Sequence, residues 1–134
     1  MTAHNCVLVV EDDPAIVEVV QAQLERAGFQ VESAHDGQEG MEKTFDGLPD
    51  VIVLDLSMPR VDGFEMLRRL RGQRALRDIP VLVLSAHSSR TDVLTALDLG
   101  ARDYMVKPFD GHDLVGRVRG LLRLAPSGPD AVLI

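Results

Sequence analysis

Five polar residues in this chain stand at the ends of apolar runs, and their types fit one reaction. Glu11 and Asp12 follow CVLVV (6–10), Asp55 closes VIVLD (51–55), Ser85 closes VLVLS (81–85) and Lys107 closes DYMVK (103–107). A carboxylate can attack a phosphoryl group to give an aspartyl phosphate. An ammonium and a divalent cation neutralise charge on the transferring oxygens, and a hydroxyl can hydrogen-bond a phosphoryl oxygen of the product. The added group carries about two negative charges and strong acceptor oxygens, enough to draw nearby loops into a new arrangement. Such chemistry suits a switch as much as a catalyst.

Glu11, Asp12 and Asp55 would bring about three negative charges into one small volume, which repel unless a cation neutralises them. All three donors are oxygens, which suits Mg2+ or Mn2+ over Zn2+; a water-filled acidic rim is the plainer alternative. Asp13 precedes Pro14 and suits a helix N-cap, which leaves Glu11 and Asp12 without a structural duty. Lys107 can pair with Asp55 and later with added negative charge, or serve as an ordinary surface ammonium. Lys107–Pro108 is a candidate cis bond. Ser85 either caps the following helix or contacts an oxyanion on Asp55.

The elements that would hold these residues alternate. FQVESA (29–34) completes a set of five short runs, and three of the five are nearly continuous Val, Ile and Leu, the mark of strands buried on both faces. Between them lie helical stripes: Ile16, Val19, Val20 and Leu24, ended by Gly28; Phe64, Leu67 and Leu70; Val93, Leu94 and Leu97, ended by Gly100; and Leu114, Val118, Leu121 and Leu122. The segment Asp36–Asp46 is the weakest helix, with Gly40 inside it and Met41, Thr44 and Phe45 expected to face inward. Strand–helix alternation five times over implies an α/β fold, a parallel sheet covered by helices on both faces. Ligands of such sheets bind beyond the carboxyl ends of the strands, where all five polar residues fall.

Several function classes are disfavoured. The 134 residues suit one domain, and the net charge of −7 argues against a nucleic-acid or anionic-membrane binder. No apolar run nears the roughly 18–20 residues that span a bilayer. The N-terminus lacks the basic start of a signal peptide, so a cytoplasmic location is expected. Cys6, the one cysteine, is expected to be a buried, inert thiol. The acidic turn after the first run would repel a nucleotide phosphate, and neither GxxxxGK[ST] nor GxSxG occurs. His4, His35, His87 and His112 make no metal spacing, and the arginines between Arg68 and Arg77 are expected on a solvated helix face. The last ten residues, APSGPDAVLI, have a linker's composition.

The pieces VLVVEDDP, VIVLDLSMPRVDGFE, IPVLVLSA and LGARDYMVKPF, in that order and spacing, resemble the receiver domain of two-component response regulators, the CheY-like superfamily. The resemblance runs from about Val7 to Leu124, so the expected organisation is a receiver domain over 5–124 and a tail or linker over 125–134. It implies a flavodoxin-like sheet of strand order 2-1-3-4-5. It also implies that Asp55 takes a phosphoryl group from a sensor histidine kinase or a histidine phosphotransfer protein of a phosphorelay. Glu11 and Asp12 match the family's acidic pair, which holds Mg2+, or Mn2+ in its place, with Asp55 and the backbone carbonyl of Ser57. The family often has two aspartates there, and the longer Glu11 is expected to act through water.

By the same resemblance Ser85 is the switch hydroxyl, Lys107 the family's lysine, and Tyr104 the aromatic that turns inward on activation rather than a half-exposed strand residue. Ser57 and His87 occupy positions that tune phosphoryl lifetime. The implied output face comprises the fourth helix, fifth strand and fifth helix, with Asp98, Arg102, Asp103, Asp113, Arg117 and Arg119, and acts on a downstream effector domain or protein. A phosphorylation-linked homodimer through crossed ion pairs fits in part, although Val93 stands where an arginine is expected and Arg102 where an acid is. The chain then regulates rather than turns over substrate, while assisting its own phosphorylation and dephosphorylation. Two rival readings are weaker. A phosphohydrolase of the haloacid-dehalogenase type would need a second acid at Ser57 and a cap domain, and a degenerate docking receiver would not keep all five chemical positions filled.

Overall fold

The computed structural model describes residues 5–58 and 61–124. The segment 125–134, expected to be a tail or linker, lies outside the described residues, as do Pro59 and Arg60. The described residues form β1 (Cys6–Val10), α1 (Pro14–Arg26), β2 (Gln30–Ala34), α2 (Gly37–Gly47), β3 (Val51–Leu54), α3 (Gly63–Arg71), β4 (Val81–Ser85), α4 (Arg90–Asp98), β5 (Asp103–Val106) and α5 (Gly111–Leu124). All strands run parallel in the order β2-β1-β3-β4-β5, the expected flavodoxin-like arrangement.

The period-two geometry of a strand explains the layering. Val7, Val9, Val51, Val53, Leu82 and Leu84 point to one face, where Val20 and Leu24 of α1 and Leu114, Val118 and Leu121 of α5 cover them. Leu8, Val10, Ile52, Leu54, Val81 and Val83 point to the other, under Met41 of α2, Met66, Leu67 and Leu70 of α3 and Ala96 of α4. The starts of α1, α2, α3 and α4 each have a capping side chain. The side chains of Asp13, Asp36, Asp62 and Ser89 accept from the N–H groups of Ala15, Glu39, Glu65 and Asp92, and Pro14 follows its cap without needing an N–H. Gly28 and Gly100 end α1 and α4 at φ of 101° and 111°, where a Cβ is strained.

Several expected inward positions are corrected. Val19 is exposed, and the α1 stripe runs through Val20 and Leu24. Phe45 is half-exposed because it lies about 100° round the helix from the buried Thr44. Leu94 and Leu97 are exposed too; α4 covers the sheet with Ala96, and Leu99 just after it packs against the same core. Cys6 is half-buried, and desolvation together with the charges of Glu32 and Asp50 raises its thiol pKa. Arg68 and Arg69 pair with Glu65 on the solvent side, as the charge run suggested.

Candidate phosphoryl-transfer site

Backbone hydrogen bonds fix where each polar residue leaves its strand. Asp55 N donates to Val10 O at 2.9 Å, Glu11 N to Ala34 O at 3.0 Å and Lys107 N to Ser85 O at 2.9 Å. The chain therefore presents Glu11, Asp55, Ser85 and Lys107 along one rim of the sheet. Glu11 and Asp55 are only 4% and 6% exposed, and Ser85 is fully buried. Carboxylate oxygens of Glu11, Asp12 and Asp55 lie within 4.8 Å of one another, with Asp12 on the solvent side. A hard, oxygen-only donor set of this kind fits Mg2+ or Mn2+.

The lysine's pairing differs from the simplest expectation. Lys107 Nζ donates to both carboxylate oxygens of Glu11, at 3.0 and 3.2 Å, and stands 3.7 Å from Asp55 Oδ1. Glu11 therefore has a structural duty that its sequence position did not reveal: it seats the ammonium. Lys107–Pro108 is cis. Burial raises the Glu11 pKa most; Lys107 opposes that and the charge of Asp55 adds to it, and the carboxyl is pushed up to about 7. Burial likewise raises Asp55, against the pull of Lys107 and of the Ser57 backbone N–H that donates to its carboxylate.

A second set of contacts surrounds His87. Its backbone N–H donates to Ser85 Oγ at 3.1 Å, and its carbonyl accepts from the Tyr104 hydroxyl at 2.7 Å. Ser85 thus does not cap α4, a role that Ser89 performs. Tyr104 is half-buried against the α2–α3–α4 core. The His87 ring hydrogen-bonds Ser57 Oγ through Nε2 and Asp92 Oδ2 through Nδ1, the latter at 3.0 Å. His87 and, next to it, Ser89 hold the Asp92 carboxyl below its ordinary range. Sequence reasoning singled out Ser57 and His87 but missed Asp92. Its only signal was an acid in the first turn after a serine cap.

Residues 7–119 match the family described as "Response regulator receiver domain". The chain belongs to that family. Among similar proteins, the DNA-binding dual master transcriptional regulator RpaA of Synechocystis sp. is 44% identical over 125 residues, covering 93% of this chain and 52% of the relative. The transcriptional regulatory protein TrcR of Mycobacterium tuberculosis is 50% identical over 118 residues, covering 87% and 45%. The chain thus spans about half the length of these curated relatives. The chemotaxis protein CheY4 of Vibrio cholerae superposes with a TM-score of 0.84 at 33% identity, covering 89% of this chain and 99% of that one. The Francisella response regulator 1452 receiver domain gives 0.84 at 35%, covering 90% and 98%. No helix among the described residues is long and apolar enough to cross a membrane.

The acidic rim makes the stability of this receiver domain depend on pH. Glu11 has an ordinary value of 4.5 and a folded value of about 7, so between those limits the native state binds more protons than the unfolded one. Stability contributed by Glu11 is full below about pH 4.5 and falls as pH rises towards 7, and Asp55 acts in the same direction. In chelator, thermal unfolding is expected to weaken between pH 5 and 8 by an amount on the order of 2–3 kcal/mol. Glu11→Gln is expected to flatten that decline, and Mg2+ to oppose it at pH 8; an unchanged slope in Glu11→Gln would refute the assignment.

Proposed function

We propose that this receiver domain is a phosphorylation-controlled switch in which Asp55 accepts a phosphoryl group from a phosphohistidine of a sensor histidine kinase or a phosphotransfer protein. The observation that carries the reading is the buried Asp55 carboxylate on a rim shared with Glu11, Asp12 and Lys107. An Asp55 oxygen attacks phosphorus, the P–N bond of the phosphohistidine breaks, and the imidazole leaves with its electron pair. Lys107, 3.7 Å from Asp55 Oδ1, is placed to meet the incoming negative oxygens. Ser85 Oγ accepts from His87 N, and its O–H is the group to donate to a phosphoryl oxygen. Glu11, Asp12, Asp55 and the Ser57 carbonyl are the residues to hold Mg2+, or Mn2+ in its place, which when bound supplies charge neutralisation at the phosphoryl group.

The signal leaves through the α4–β5–α5 face. Ser85, His87 and Tyr104 form a hydrogen-bonded route from the rim to β5, and that face carries the exposed Leu94, Leu97 and Val106. Arg117 there pairs with Asp103 at 3.0 Å and with Asp113 at 3.3 Å, and Arg119 donates to Ala27 O. A phosphorylation-linked homodimer by crossed ion pairs must divert these arginines from their partners within the chain. The other recipient is an effector domain or protein, as the regulator names of the relatives suggest, acting in the cytoplasm. The test is incubation with Mg2+ and acetyl phosphate, followed by intact mass. One hydroxylamine-labile phosphoryl is expected, and no adduct at all would overturn the reading.

A further inference from the structure

The hydrogen bonds around His87 place a serine hydroxyl, an imidazole and a carboxylate in series beside Asp55. Ser57 Oγ bonds His87 Nε2, and His87 Nδ1 bonds Asp92 Oδ2 at 3.0 Å. A carboxylate on Nδ1 keeps the proton there and leaves Nε2 as the acceptor for the serine proton. The imidazole is also held through its backbone, by Ser85 Oγ on its N–H and by the Tyr104 hydroxyl on its carbonyl. A nucleophile within hydrogen-bond reach of a base, itself oriented by a third group, is the signature of an activated hydroxyl. The Ser57 backbone N–H donates to the Asp55 carboxylate, so this hydroxyl belongs to the residue that already touches the phosphoacceptor.

We propose that Ser57 is a second phosphoacceptor, activated by His87 and positioned through Asp92, which takes the phosphoryl group from Asp55. The inference rests on Asp55 becoming an acyl phosphate. Ser57 Oγ attacks phosphorus and the Oγ–P bond forms. The bond from phosphorus to the Asp55 carboxylate oxygen breaks, its electron pair restores the carboxylate, and the Oγ proton passes to His87 Nε2. No other reactant is needed. Holding donor and acceptor on one loop makes the transfer intramolecular, and a labile acyl phosphate is exchanged for a stable phosphate ester. The switch then has a short-lived state on Asp55 and a long-lived one on Ser57.

The test uses the protein with Mg2+ and acetyl phosphate as the phosphodonor, sampled over time, treated with hydroxylamine and analysed by intact mass and peptide fragmentation. Hydroxylamine removes an aspartyl phosphate and leaves a phosphoserine. The expected result is a resistant phosphoryl that maps to Ser57 and grows as the labile one is consumed. It should be absent in Asp55→Asn and Ser57→Ala. His87→Gln should slow its formation relative to the labile adduct by on the order of a hundredfold, and Asp92→Asn should slow it less. An adduct that hydroxylamine removes completely overturns the inference and leaves the function of Asp55 standing. No adduct of either kind overturns both. Ser57 phosphorylated in Asp55→Asn shows direct capture from acetyl phosphate and overturns the transfer step.

Discussion

Asp55→Asn is expected to abolish the hydroxylamine-labile adduct altogether while making the protein more stable in chelator. The two effects have one cause. Asp55 is 6% exposed, close to the carboxylates of Glu11 and Asp12, and Lys107 reaches it only at 3.7 Å, so its charge is incompletely compensated. Asparagine keeps the shape and removes the charge. Burial and the charge of Asp12 outweigh the pull of Lys107 and raise the Asp55 pKa, so removing the charge favours the folded state. A rise of about 1 kcal/mol, or roughly 3–5 °C in Tm, is expected here. Mg2+ should stabilise the variant less than the wild type, because one of three carboxylates is gone. Calorimetry with and without Mg2+ reads both effects, and equal Mg2+ responses would argue against Asp55 as part of the cation's donor set.

A large loss of stability is expected from adding a single methyl group at Gly63. Gly63 opens α3 and its N–H donates to Leu56 O at 2.9 Å, closing the loop that follows Asp55. A Cβ on Gly63 would stand 2.6 Å from Leu56 Cα and closer still to the carbonyl oxygen of Asp55. Both obstacles are backbone, so neither can swing aside. Gly63→Ala is expected to cost about 2–4 kcal/mol, roughly 10 °C in Tm, and to slow phosphorylation of Asp55 because the loop must shift to admit the methyl. Gly116→Ala in α5 supplies the contrast. A Cβ there meets nothing within 4 Å, and the substitution should stabilise by about 0.5–1 kcal/mol through helix propensity and chain entropy. Urea denaturation of the pair reads both signs.

The sheet was legible because its signal is dense. Runs such as Val51–Leu54 are apolar on both faces, and only a strand covered on two sides needs that pattern. The gathering of Glu11, Asp55, Ser85 and Lys107 on one rim followed from parallel topology alone. The helix faces were less legible where little area is covered: α4 buries Ala96, whose small side chain carries a weak signal beside Leu94 and Leu97. Side-chain pairing was least legible. Parallel topology brings Lys107 near two carboxylates, but only the side-chain conformations decide that Glu11 holds it more closely than Asp55. The Asp92–His87 contact depends on how the loop between β4 and α4 folds back, and five residues of spacing do not encode that.

The Glu11–Lys107 pair joins residues 96 positions apart. Closing so long a stretch of chain is entropically costly and is deferred until the intervening strands are in place. A nascent chain that has emerged only through β3 carries Asp55 without its ammonium counter-charge, and it gains that charge only once β5 has docked beside β4. The contact therefore works as a completion check. The ammonium reaches the acidic rim only with the last strand, so molecules in which β5 has not docked leave Glu11 and Asp55 without it.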